Sequence, residues 1–201
     1  MDALNKIAMK LASENLIAKE EKLYKNFTGN IEYFNNKGTV KNATFELKDK
    51  KIIWHDGTWM EGTWNDGIWE KGIWEDGTWM NGTWKKGIWE YGIWEDGEWE
   101  KGTWKNGNWY DGTWNNGVWK YGFWKDGNWL NGIWESGAWN DGAWKGGIHK
   151  NGEWYGGKFT QKDKKSTWEN GKWYEGIWDE GTWITGFNKF KKEQKKAPNN
   201  W

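Results

Sequence analysis

Few residues in this chain could do chemistry. There are two histidines, His55 and His149, and no cysteine, so no disulfide, thiolate metal site or catalytic thiol can form. His149 occupies a slot that a tryptophan fills elsewhere, and it is expected to pack as an aromatic ring. With no second histidine near it, a metal centre has nothing to build on, so no metal and no cofactor is expected. The acid pairs Glu75–Asp76 and Glu95–Asp96 are the residue types of a glycosidase, yet both fall in repeated polar positions that are expected to be solvated. No nucleophile–base pair and no phosphate-binding glycine loop ahead of a helix is present. The reading is therefore not an enzyme. What remains is the indole. The chain holds 25 Trp, and exposed indoles in a row would stack on sugars or bases, whereas buried ones would be a core. A displayed row of some twenty would be a larger apolar patch than soluble proteins carry, so burial is expected.

The elements that position these rings are written as a repeat. From Gly57 to Gly157 a glycine recurs at every fifth residue, and Trp recurs in the same phase from Trp54 to Trp144. The pentad reads Gly–x–Trp–x–(Asp/Asn). Thr, Ile or Val commonly precedes Trp, polar residues follow it, and Asp-Gly or Asn-Gly closes the unit, so each pentad predicts a short strand and a tight turn. The ladder residues are Trp59, Trp64, Trp69, Trp74, Trp79 and Trp84, with Gly57, Gly62, Gly67 and Gly72 as the small partners. "KDKK" at 162–165 breaks the phase, since Phe159 and Trp168 are nine residues apart, and predicts a protruding loop.

The whole chain divides into four parts. Residues 1–29 are expected to be a helical cap or docking segment, with Leu4, Ile7 and Leu11 on one face. Residues 30–54 alternate as short lead-in strands around the "NNKG" turn. Residues 55–187 form the array, with the loop at 160–167. Residues 188–201 are a basic, flexible tail ending in Trp201, which with the Leu4 face is a candidate contact for a partner.

Two all-β architectures satisfy the pentad: a β-solenoid with Trp inward on every side, and an antiparallel meander with Trp along one face. Residues 57–76 and 77–96 match at sixteen of twenty positions. That favours a solenoid of four pentads per coil, about six coils and roughly 30 Å long, although a duplication of four pentads leaves the same mark. The pentads resemble those of the pentapeptide-repeat family, a square β-helix in which a large apolar residue lies at the pentad centre and a small one two before it. Trp59, Trp64 and Trp69 match the centre, and Gly57, Gly62 and Gly67 the small position. "GTWMEG" and "GIWEDG" are also similar to the core of MORN repeats, which implies the meander. The helical start, the "TGN…GT" stretch and the GTW/GIW pentads resemble Trp-Gly repeat proteins encoded by large tailed phages.

Net charge is zero, but residues 57–156 hold 9 Lys against 15 Asp and Glu, a net of −6, while the flanks are basic. All basic residues are Lys. The missing Arg fork and the acidic centre count against nucleic-acid binding. No signal peptide or membrane span is read in the first twenty residues, so a cytoplasmic or virion location, not Sec-dependent secretion, is expected. The function expected is that of a non-catalytic structural or protein-interaction module, phage-encoded and virion-associated. Two alternatives stand beside it: a carbohydrate-binding module using exposed Trp, and an inhibitor whose acidic rod mimics DNA.

Overall fold

The computed structural model describes residues 22–33, 35–49, 51–161 and 164–188. Three long strands, β1 (Lys22–Tyr33), β2 (Asn36–Lys48) and β3 (Lys51–Trp64), are followed by twenty-four strands of two or three residues, β4 (Gly67–Trp69) to β27 (Phe187–Asn188). All belong to one sheet. From β3 onward the pairing is parallel, so the array is a β-solenoid of about 9 turns and not a meander.

Register sets the coil. Trp54 pairs with Trp69, Trp59 with Trp74 and Trp64 with Trp79, an offset of fifteen residues. Three pentads make a coil. The four-pentad square coil and its six-coil length are therefore wrong. At ~4.8 Å per coil the rod is about 40 Å long. Residues twenty apart lie on neighbouring sides, so the twenty-residue identity marks a duplication.

Each side of a coil contributes one inward residue, and three side chains must fill the lumen. Only very large ones do so at interior packing density. The indoles form three stacks along the rod and meet edge-to-face around it. Trp94 and Trp109 stack at 4.7 Å and 5°, while Trp104 meets Trp109 at 6.0 Å and 73°. Such pairs are worth about 0.5–1.5 kcal/mol each beyond the area they bury. Trp59, Trp64, Trp69, Trp74, Trp79 and Trp84 are all fully buried. Trp99 donates its indole N–H to Asn116 O and Trp129 to Gly146 O, but Trp94 and Trp109 have no acceptor. Leaving such a donor unpaired costs about 1–3 kcal/mol, which ring contact and burial must offset.

The glycine phase follows from the stacking. Gly107 has φ +127°, and a Cβ there would stand 2.4 Å from Gly92 O in the coil before. That oxygen accepts from Asn108 N at 3.0 Å, so it cannot move away without breaking the ladder. Asp or Asn before the glycine completes the turn: Asp96 Oδ1 accepts the Gly97 N–H at 2.6 Å.

The N-terminal end is closed differently. β1 and β2 run antiparallel to each other, and β2 runs antiparallel to β3, so the hairpin follows the first coil backwards. Phe45 stacks on Trp54 at 6.0 Å and Tyr24 on Phe45 at 4.8 Å, which carries one indole stack into the cap. Gly38 leaves room for the Trp59 ring. Buried Asn36 accepts from Asn65 N and donates to Asp66 O on the remaining side. Residues 22–29, read as the end of a helical segment, are strand instead. The Leu4, Ile7 and Leu11 face and Trp201 lie outside the described residues, as does the tail after Asn188, which itself ends β27.

The "KDKK" interruption lengthens one coil. His149 pairs with Trp168, Trp154 with Trp173 and Phe159 with Trp178, each an offset of nineteen, before fifteen returns at Trp168–Trp183. The extra residues are accommodated without loss of stacking. Ser166 and Thr167, assigned to the loop by the sequence, belong to a strand, and Ser166 is buried with its hydroxyl donating to Thr160 O.

Candidate functional site

Fifteen-residue register sorts the outward residues into rows that run straight along the rod, one residue per coil. Three of these rows are the turn positions just before the glycines, and their chemistries differ.

Following the side of Trp69 and Trp84, the turn row holds Lys71, Lys86 and Lys101 in successive coils. Lys71 lies 2.8 Å from Asp56 of the coil before, and this ammonium holds the Asp56 carboxyl below its usual range. Glu70 and Lys85 in the adjoining row are 3.4 Å apart. Glu70 also lies 2.8 Å from His55 Nδ1, the larger cause of its lowered pKa. A groove of about 370 Å³ runs beside these side chains.

Following the side of Trp94 and Trp109, the turn row holds Asp96, Asp111, Asp126 and Asp141. Their carboxylates stand one coil, ~4.8 Å, apart on the parallel ladder. Each accepts from the next glycine N–H at 2.6–2.7 Å. A groove of about 590 Å³ is lined by Asp111, Asp126 and Asp141, with Asn128 and Ala143 opposite.

Following the side of Trp89 and Trp104, the turn row is uncharged for six coils: Tyr91, Asn106, Tyr121, Ser136, Asn151 and Asn170. The strand row across the groove reads Ile93, Asn108, Phe123 and Ala138. Tyr91 and Tyr121 are more than half exposed, and the groove is about 480 Å³.

The residues singled out from the sequence for chemistry do not converge. Glu75–Asp76 and Glu95–Asp96 sit on different sides of the coil, and Asp76 and Asp96 both cap turn glycines. His149 is fully buried, with both ring nitrogens unpartnered, between Trp134 at 6.0 Å and Trp168 at 3.8 Å. Burial lowers its pKa from 6.5 to about 3, so the ring is neutral. Among the described residues no group of three or more His, Asp or Glu is placed to hold a metal ion, and no helix is long and apolar enough to cross a membrane. The indoles needed for the Trp-based carbohydrate reading are in the core. The three rows were missed because they appear only when the sequence is sorted at fifteen.

A parallel pentad β-solenoid with an inward Trp ladder is thus the class of protein that the fold and its outer rows define. Comparison with family models, curated proteins and solved structures found no match.

Proposed function

We propose that the chain is a non-catalytic rod that acts as a structural or protein-interaction module. The observation that carries this reading is the set of three straight turn rows, one basic, one acidic and one uncharged, on a single stacked core. A stiff support presenting fixed chemistry on separate faces suits simultaneous contacts within an assembly, because little ordering entropy is lost on docking. Association with a phage particle rests on the sequence resemblance alone, as does a cytoplasmic or virion location. Likeness to pentapeptide-repeat proteins rests on the pentad and its inward large residue, while the three-pentad coil departs from that family's square one. Mass spectrometry of purified particles tests the virion reading, which fails if the chain is missing from them. Chemical cross-linking followed by capture, with the intact chain and with Lys71, Lys86 and Lys101 replaced by Glu, tests the interaction reading. Partners unchanged by the reversal would remove the basic row from the argument.

A second reading, an acidic decoy for a DNA-binding protein, is favoured by the Asp96–Asp141 row. The lysines that dilute the acidic centre in the sequence, Lys85, Lys86, Lys105 and Lys125, lie in other rows. A salt-sensitive complex with a DNA-binding enzyme would support it, and no complex at low salt would sink it.

A further inference from the structure

Beyond the interaction role, we propose that the groove between the Tyr91–Asn170 turn row and the Ile93–Ala138 strand row binds a linear, uncharged polysaccharide. All five tyrosines of the array fall in the two rows that flank this one side of the rod. Tyr91 and Tyr121 stand in the turn row, and Tyr110, Tyr155 and Tyr174 stand in the row just after the tryptophans. Phe123 lies between them and is 37% exposed, with Tyr91 at 53% and Tyr121 at 58%. Neither of the other sides has a tyrosine in the corresponding rows.

The ligand class follows from three properties of the groove. The first is charge. In a chain with 29% charged residues, both walls are uncharged over four coils, about 14 Å. The charges that end the strand row, Glu153 and Lys172, pair with each other at 2.9 Å. A charged ligand would find no counter-charge here, and a neutral one loses nothing. The second is the mixture of flat rings and amides. Tyrosine faces take the C–H faces of sugar rings, and Asn side chains both donate and accept, as sugar hydroxyls do. The third is translation. Tyr91 and Tyr121 are two coils apart, ~9.6 Å on a parallel ladder. Two ring faces therefore stand in line along the groove at a separation close to the disaccharide repeat of an extended β-linked glycan. The backbone is already ordered by its ladder, so the platform needs no rearrangement to bind.

Native affinity electrophoresis in gels containing hydroxyethyl cellulose, glucomannan or dextran tests the proposal, with polygalacturonate as the charged comparison. The intact chain is expected to be retarded by at least one neutral polymer and to pass freely through polygalacturonate. The doubly substituted Tyr91→Ala, Tyr121→Ala chain should bind about tenfold more weakly or worse. A Lys86→Ala, Lys101→Ala chain, altered in the exposed basic row on another side of the rod, should keep its affinity. Circular dichroism and tryptophan emission, which these exposed positions should leave unchanged, check that each variant is folded. No retardation in any neutral gel, equal retardation in polygalacturonate, or full binding by the Tyr91/Tyr121 variant would each overturn the assignment. None of these results bears on the cross-linking partners, so the interaction reading stands or falls separately.

Discussion

The first coil of the rod has a different neighbour on each side, and both turn the same corners. Below it, β2 follows β3 antiparallel, and the bend opposite Gly57 is made at Asn42, with φ 50°. Above it, the short strands stack parallel, and the bends of the fifteen-residue coils are made by glycines with positive φ, with Ser166 in that register only after the lysine-rich interruption. In the cap, β-bulges between Lys41, Thr44 and Phe45 take up the difference in path length, so the corner residue can carry a side chain. In the array, identical coils lie directly over one another, and each corner faces the carbonyl oxygen of the corner before it. Asn42 at φ 50° sits in the left-handed region that Asn tolerates, whereas Gly107 at φ +127° lies beyond that region and under a neighbouring carbonyl, where only glycine fits.

Substitutions at corners break this comparison most severely. Gly107→Ala sets a Cβ 2.4 Å from Gly92 O at φ +127°, and is expected to destabilise the rod by more than about 4 kcal/mol or prevent folding. Denaturant midpoints and the soluble yield measure it. A near-neutral result would mean that the coils are not stacked corner on corner. Next in size is the lumen. Trp109→Ala removes one of three rings at its level and should cost about 3–5 kcal/mol, read from the same midpoints. The tryptophan emission of the intact chain should be blue-shifted and poorly quenched by acrylamide, because the ladder is buried.

How much of this could be read without coordinates differs by level. The inward ladder was legible, because a residue as large as Trp paired at fixed distance with Gly has few other solutions. The number of pentads per coil was not. A five-residue phase is compatible with any number of sides, and the duplicated block 57–96 imposed a period of twenty. A better signal lay in the residues before Trp. Sorted at fifteen, one strand row is β-branched throughout, with Ile73, Ile88, Thr103, Val118, Ile133 and Ile148 among its members. The three turn rows emerge from the same sort. The helical segment expected over residues 1–29 is contradicted at 22–29, which are strand, and the reason is local. Tyr24 and Phe27 are three apart and both buried, a helical spacing, but a register shift between them in β1 produces it.

His149 offers a gentler perturbation of the array. Its pKa is about 3 when folded and 6.5 when not, so between those values the unfolded chain binds a proton that the folded one refuses. Stability should therefore be complete above pH 6.5 and fall by up to ~1.4 kcal/mol per unit as pH drops toward 3. The lowered carboxyls of Asp56 and Glu70 act in the same direction further down, since their ion pairs are lost on protonation. The imidazole is also small for its slot, standing 6.0 Å from Trp134 where neighbouring stacks close to 4.7–4.8 Å. His149→Trp should raise stability at pH 7 and flatten the loss between pH 6.5 and 4, measured as melting temperature against pH. An unchanged pH slope would mean that the ring is reached by solvent.

The smallest expected effect returns to the corner of the cap. Asn42→Ala places a Cβ-bearing residue without a locally bonding side chain at φ 50°, and should cost about 1 kcal/mol, the usual penalty of the left-handed region. Asn42→Gly should be within ~0.5 kcal/mol of the parent, since glycine adopts this φ freely but gives up more freedom on folding. The alanine change at Asn42 is thus set against the same outcome at Gly107, where the backbone sign is shared and the carbonyl oxygen is not. If both alanine variants cost alike, neither the wider φ nor the stacked carbonyl is what reserves the array for glycine. If they differ by several kcal/mol, the wider φ of the array corners and their close backbone approach together are the reason a pentad solenoid must repeat its glycine while its antiparallel cap need not.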